Sequence, residues 1–273
     1  MQTETKTAEH RITTPLGDVH LKTWSNDDAS PQKTPIVLLH DSLGCVEMWR
    51  DFPSQLLERT GHPVIAYDRL GFGRSAKRES RPSIRFVAEE SETSLPFIFD
   101  FARKRFGGEK VSLFGHSVGG AMTAVAASKL AAQIECVVTE SAQAYVEERT
   151  REGIRQAKAN FEDPKVLAKL ERYHGDKAKW VLDAWTEVWL SSEFSNWSLL
   201  SEMHLAKPSC PFLTIHGDLD EYGSTDFPKT IASLTTGFSQ VEILQNVGHV
   251  PHRENPSRIL DLVADFFARS VQS

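Results

Sequence analysis

No stretch of the chain approaches 18 uninterrupted apolar residues, so no segment is expected to cross a bilayer as a helix. Basic charge is not in excess either. Against 37 Asp+Glu stand 31 Lys+Arg, a formal net charge of −6, which leaves no electrostatic footprint for nucleic acid or an anionic membrane. Cysteine is scarce: Cys45, Cys136 and Cys210 are scattered, odd in number and form no C-x-x-C pair. That excludes a disulfide framework and a cysteine-built zinc site, and reads as small apolar side chains in a reducing cytosol. The histidine pair His249-x-x-His252 lacks the acidic partner and helical spacing of a metalloprotease motif, so no metal is expected. There is no internal repeat and no low-complexity tract. Residues 1–10 hold no apolar core, so a secretory signal is not expected and the expected location is cytoplasmic.

What is present is ordinary for a globular protein: 273 residues, 40% hydrophobic and 25% charged, enough for one large α/β domain or a domain with a sizeable insertion. Near-continuous apolar runs at 35–40, 64–68, 111–114, 134–139 and 212–216 predict parallel strands covered on both faces. Segments 11–14 and 19–24 flank the turn Pro15-Leu16-Gly17-Asp18 and predict an antiparallel hairpin. Helices are expected near 46–58, 83–106, 119–131, 225–235 and 256–269, with Pro96 kinking or splitting the second. The alternation predicts a mostly parallel central sheet with helices on both faces.

From 143 to 207 no strand pattern occurs, and Val181, Leu182, Trp185, Val188 and Trp189 fall on one helical face. Four of the six tryptophans, Trp180, Trp185, Trp189 and Trp197, lie here. Most of them are expected to build the insert's own core. One or two, with Trp185 and Trp189 as candidates, are expected to roof a pocket, which makes 143–207 a helical lid on a core formed by 1–142 and 208–273.

The strongest chemical signal is Gly115-His116-Ser117-Val118-Gly119, which follows a strand and opens a helix. A tight strand-to-helix turn pushes the serine outward, flanking glycines admit close backbone, and the following helix aims its first amides at developing negative charge. A serine hydroxyl needs a base, and the base an orienting acid. Downstream, strand 212–216 runs into Gly217-Asp218-Leu219-Asp220-Glu221, and a turn carries Gly248-His249 with His252 behind it. The decoy Gly71-Phe72-Gly73-Arg74-Ser75-Ala76 matches a dinucleotide fingerprint, but Lys77–Pro82 cannot start a helix, so no nicotinamide or flavin site is expected.

Four motifs together carry a family resemblance: His40-Asp41-Ser42-Leu43-Gly44 with Trp49; Tyr67-Asp68-Arg69-Leu70-Gly71-Phe72-Gly73-Arg74-Ser75; the Ser117 elbow; and Gly217–Asp220 followed by Gly248-His249. The chain resembles the α/β-hydrolase superfamily, in its branch with a helical cap, over residues 10–270. The order serine, acid, histidine is that of the α/β-hydrolases. The resemblance implies an α/β-hydrolase fold with Ser117 as nucleophile, His249 as base and an aspartate of the 217–220 loop as acid. Its usual G-x-x-D pattern selects Asp220 over Asp218, with Glu221 third, and favours His249 over His252. His40 and His116 are expected to support loops.

The same resemblance implies an oxyanion hole from the backbone N–H groups of Val118 and Ser42. Asp41 replaces a usual glycine here, and its carboxylate weakens such a hole unless it points away or pairs with Arg69 or a cap residue. The implied activity is cofactor-free, metal-free serine hydrolysis of a small ester, lactone or thioester, with a small molecule as the expected partner and a monomer or homodimer as the expected state. C–C bond hydrolysis of ring-cleavage products, perhydrolysis, and a non-enzymatic small-molecule receptor are the alternatives.

Overall fold

The computed structural model describes residues 5–26, 33–203 and 207–270. Parts of two sequence expectations, at residues 1–4 and at 204–206 of the insert, lie outside the described residues. The chain runs β1 (Lys6–Thr14), β2 (Gly17–Ser25), β3 (Ile36–Leu39), α1 (Phe52–Thr60), β4 (Val64–Tyr67), α2 (Phe86–Thr93), α3 (Leu95–Phe106), β5 (Val111–His116), α4 (Val118–Lys129) and β6 (Ile134–Glu140). It continues through α5 (Glu148–Asn160), α6 (Pro164–His174), α7 (Ala178–Trp189), α8 (Leu199–Glu202), β7 (Phe212–Gly217), α9 (Asp226–Ser233), β8 (Ser239–Leu244), α10 (Pro251–Glu254) and α11 (Pro256–Ser270).

The strands form one sheet of eight in the order β1-β2-β4-β3-β5-β6-β7-β8. β1 pairs with β2, and β2 with β4, antiparallel, while every later pairing is parallel. Alternate side chains of one strand feed two separate cores, as the period of two requires. Val37, Leu39, Ile65 and Leu113 pack with α2, α3 and α4, whereas Ile36, Leu38, Val64 and Phe114 pack with α1 and α11. The strand order reverses at β3, so the loops after β3 and β5 diverge and leave a crevice at the strands' C-terminal ends, where open α/β sheets bind ligands.

Three elements differ from the sequence expectation. The helix expected over 46–58 is a short 3-10 turn at Val46–Trp49 and then α1, because Arg50 takes φ 53° and Pro53 belongs in a first turn. The expected helix 83–106 starts at Phe86 and is split at Ser94, with Pro96 in the first turn of α3. Strand β8 was not anticipated: Ser239-Gln-Val-Glu-Ile-Leu244 is a half-exposed edge strand with polar residues on one face and no continuous apolar run.

Between β6 and β7 the described residues form helices joined by turns and irregular segments, with one β-bridge, Tyr145 with Ser198. Trp189 is 2% exposed and packs against Phe194 and Trp197, with ring centroids 5.0 and 5.8 Å away. Trp180 meets Phe72 edge-on at 5.7 Å, joining the insert to the loop after β4. No helix among the described residues is long and apolar enough to cross a membrane. Cys45 and Cys136 are buried and Cys210 half-buried, and burial pushes their thiols up to about 12, 12 and 11.

Candidate active site

The central strand β5 ends at His116 and α4 begins at Val118, which leaves Ser117 alone in the turn at φ 56°, ψ −125°. A non-glycine residue there stores about 1–3 kcal/mol, which the surrounding packing must sustain. The flanking glycines make that packing possible. A Cβ on Gly115 would lie 2.3 Å from the Gly119 carbonyl oxygen, and one on Gly119 would lie 2.2 Å from that of Leu39. Strand, helix and the loop after β3 therefore close around the serine at backbone contact.

Two distant loops complete the group. His249 Nε2 is 3.1 Å from Ser117 Oγ, and His249 Nδ1 is 2.9 Å from each carboxylate oxygen of Asp220. Asp220 is 1% exposed. Burial works to raise its pKa, but His249, His216 and the Tyr222 N–H outweigh that and hold it below the usual carboxylate value. Asp218 does not reach the histidine; its carboxylate accepts the Asn246 N–H at 2.7 Å and shapes the turn before His249. Glu254 accepts the N–H groups of Gly248 and Val250, clamping the histidine from both sides.

His252 lies apart from this group and bonds Glu140 at 2.5 Å, with both side chains buried. His116, Glu140 and His252 are the described residues whose donor atoms could hold a metal ion. Two of their nitrogens are already engaged, His252 Nδ1 with Glu140 Oε2 and His116 Nε2–H with the His249 carbonyl at 2.8 Å, while Glu140 Oε1 is buried without a partner. A cation held by those two nitrogens would have to displace these bonds.

Among the described residues, the Asp41 carboxylate pairs neither with the Arg69 guanidinium nor with a cap residue. It accepts the Leu43 N–H at 2.9 Å and faces His116 Nδ1 at 3.4 Å, whereas Arg69 donates to the Asp41 carbonyl at 2.7 Å. Burial alone would lower the His116 pKa, but Asp41 beside it outweighs burial and raises it. The negative charge that replaces the usual glycine is thus met by the histidine inside the elbow, and Asp41 needs no positive φ. His40 is held near a pKa of about 3 by burial and by Arg69, so it stays neutral, donating to the Asp41 carbonyl and accepting the Arg69 N–H.

Ser117 and His249 open into a cavity of about 230 Å³ with Ser42, Trp185, Trp189 and Tyr222 in its walls. Val118 leads α4, where the first N–H groups have no intrahelical acceptor. Ser42 lines the cavity from the loop after β3. Two residues escaped sequence reasoning. Gln143 Nε2 lies 3.4 Å from Ser117 Oγ, and its Oε1 is buried without a partner. The Tyr222 ring stands edge-on to His249 at 4.7 Å and to Trp185 at 5.9 Å. Their positions just past β6 and β7, at the ligand-binding edge of the sheet, were the available signal. The dinucleotide look-alike is a structural turn: Gly73 makes room for the buried Asp68 carboxylate, and no helix follows before Phe86.

A family model described as alpha/beta hydrolase fold matches residues 34–177. The 1-acylglycerol-3-phosphate O-acyltransferase ABHD5 of Homo sapiens is 36% identical over 106 residues, which are 39% of this chain and 29% of that protein. The match thus spans under a third of that relative's length. The solved structure of 2-hydroxy-6-oxo-6-phenylhexa-2,4-dienoate hydrolase from Rhodococcus sp. strain RHA1 has a TM-score of 0.77 at 17% identity, covering 97% of this chain and 100% of that one. A thermophilic esterase from Thermogutta terrifontis has a TM-score of 0.68 at 19% identity, covering 96% and 99%. Likeness at these identities establishes a shared fold.

Proposed function

The chain belongs to the alpha/beta hydrolase fold family, and on that footing we propose that it is a serine hydrolase that cleaves a small carboxylic ester, lactone or thioester through an acyl-enzyme. The observation that carries this reading is the unbroken line Ser117 Oγ, His249 Nε2, His249 Nδ1 and Asp220, at 3.1 and 2.9 Å, facing a cavity. Ser117 Oγ attacks the carbonyl carbon while His249 Nε2 takes its proton. Asp220 keeps the histidine's other proton on Nδ1 and stabilises the imidazolium. The N–H groups of Val118 and Ser42 receive the oxyanion. The leaving group takes the proton from Nε2, and a water activated by the same nitrogen then releases the acid.

A fluorophosphonate probe tests this. The expected result is one covalent adduct, located on Ser117 by peptide mass spectrometry. A folded protein that stays unlabelled at excess probe would mean a binding protein with an inert serine.

The insert between β6 and β7 is proposed to act as a lid that selects the substrate. It supports this reading that Trp185 and Trp189 lie in the cavity wall, while the insert is tied to the acid loop by Thr150 Oγ1 donating to the Tyr222 carbonyl at 2.7 Å. The two tryptophans should behave differently on truncation. Trp189→Ala empties the centre of the Phe194–Trp197 cluster and should cost about 3–5 kcal/mol in chemical denaturation. Trp185 is only half-buried, so Trp185→Ala should cost less stability and instead reorder kcat/KM across short and long acyl esters. An unchanged order would place Trp185 outside the acyl and leaving-group sites.

A further inference from the structure

A second, smaller cavity adjoins the one that holds Ser117, and Ser42, Trp185 and Trp189 line both. Its free space is about 30 Å³, room for a carboxylate or one to two waters. Three charged side chains reach it: Arg69, Arg78 and Glu90.

Arg69 is the notable one. It is 5% exposed, and its guanidinium lies over the Phe72 ring at 4.2 Å. Its Nη2 donates to the Asp41 carbonyl, while Nε is buried with no acceptor. An arginine serving only as a strut for the loop after β3 would need that one bond and no unfilled donor. Leaving a buried N–H of a cation unpaired is unfavourable, and burial lowers its pKa, with Arg78 adding to the effect and Glu90, Tyr67 and Asp41 opposing it.

Arg78 is half-buried on the same wall and has no ion-pair partner among the described residues. Glu90 is the sole carboxylate in the lining, and its Oε1 already accepts the Tyr67 hydroxyl at 2.8 Å. Two guanidinium groups against one carboxylate leave the cavity with net positive charge. Planar guanidinium groups pair well with a carboxylate, which accepts two parallel N–H bonds.

We propose that this side cavity is a carboxylate subsite, in which Arg69 and Arg78 hold a free carboxylate of the substrate while its scissile carbonyl lies at Ser117. The inference rests on the hydrolase reading for its reaction and narrows the substrate class to carboxylate-bearing esters or lactones. The shared wall at Ser42 puts the anion on one side of the proposed oxyanion donor and the nucleophile on the other. Trp185 and Trp189 line both cavities beside it.

The test compares ester pairs that differ in whether one carboxyl group is free and ionised or capped as its methyl ester. One pair carries the carboxylate on the acyl side (p-nitrophenyl hydrogen glutarate against its methyl-capped diester), the other on the alcohol side (4-acetoxybutanoate against its methyl ester). In at least one pair the free acid should be favoured at least tenfold in kcat/KM at the p-nitrophenyl or acetyl bond. Arg78→Gln should erase that ratio and Arg78→Glu invert it. Arg69 is a poorer target, because its loss also frees the Asp41 carbonyl. No preference for the free acid in either pair, or a preference that survives both Arg78 variants, would overturn the subsite. If no ester is turned over, the hydrolase reading fails by itself. The subsite is then read from tryptophan fluorescence on titrating glutarate: saturable quenching, weakened at least tenfold in Arg78→Gln, supports it, and absent or unchanged binding overturns it.

Discussion

Ser117→Ala is expected to reduce ester hydrolysis by roughly 10⁴-fold or more, while the protein stays folded. The size follows from what is removed. In the proposed mechanism no acyl-enzyme forms without Oγ, and His249 and the amides of Ser42 and Val118 would be left with water as the only nucleophile. Stability should change little. Alanine keeps the strained φ of 56°, and the bonds lost are the 3.1 Å contact to His249 and the 3.4 Å contact to Gln143. Ser117→Gly separates the two effects: equally inactive, it relieves the backbone and should be more stable than the alanine variant, by about 1 kcal/mol. Steady-state rates with an activated ester, beside thermal unfolding of both variants, make the comparison. Residual activity within tenfold of the parent would remove Ser117 from the proposed mechanism.

The second large effect is expected from Asp220→Asn. The aspartate accepts from His249 Nδ1, and an amide there lets the proton move to Nε2, so the histidine no longer accepts from the serine. In a serine-protease triad the same change costs about 10⁴ in kcat. Asp218→Asn is the matched control two residues away. Its carboxylate only accepts the Asn246 N–H, and an asparagine carbonyl oxygen accepts as well, so activity should stay within about tenfold of the parent. Greater damage from Asp218→Asn than from Asp220→Asn would contradict the loop register seen here.

Much of the fold could be read from local pattern. The apolar runs that became β3 to β7 are continuous because both faces of a parallel sheet are covered, and the G-x-S-x-G turn is compact enough to be recognised by its own residues. Strand β8 escaped the same logic because it is an edge strand, with half-exposed and polar positions interleaved. The helix expected at 46–58 failed at Arg50, where one left-handed residue interrupts an otherwise helical composition.

The site divides along the same line. The sequence by itself determined that a serine elbow is followed, in order, by a carboxylate-bearing loop and a histidine, since these are properties of short segments. It left Asp218, Asp220 and Glu221 as neighbours of equal chemistry until a family pattern ranked them. Only the tertiary structure decided that Asp220 meets His249 across 29 residues and that His249 meets Ser117 across 132. It alone set Asp41 against His116 rather than against the Arg69 guanidinium, and brought Gln143, Tyr222 and the two arginines of the side cavity around one crevice. The physical reason is that element type follows from the periodicity of neighbouring residues, whereas the direction of a loop side chain follows from which distant backbone it packs against.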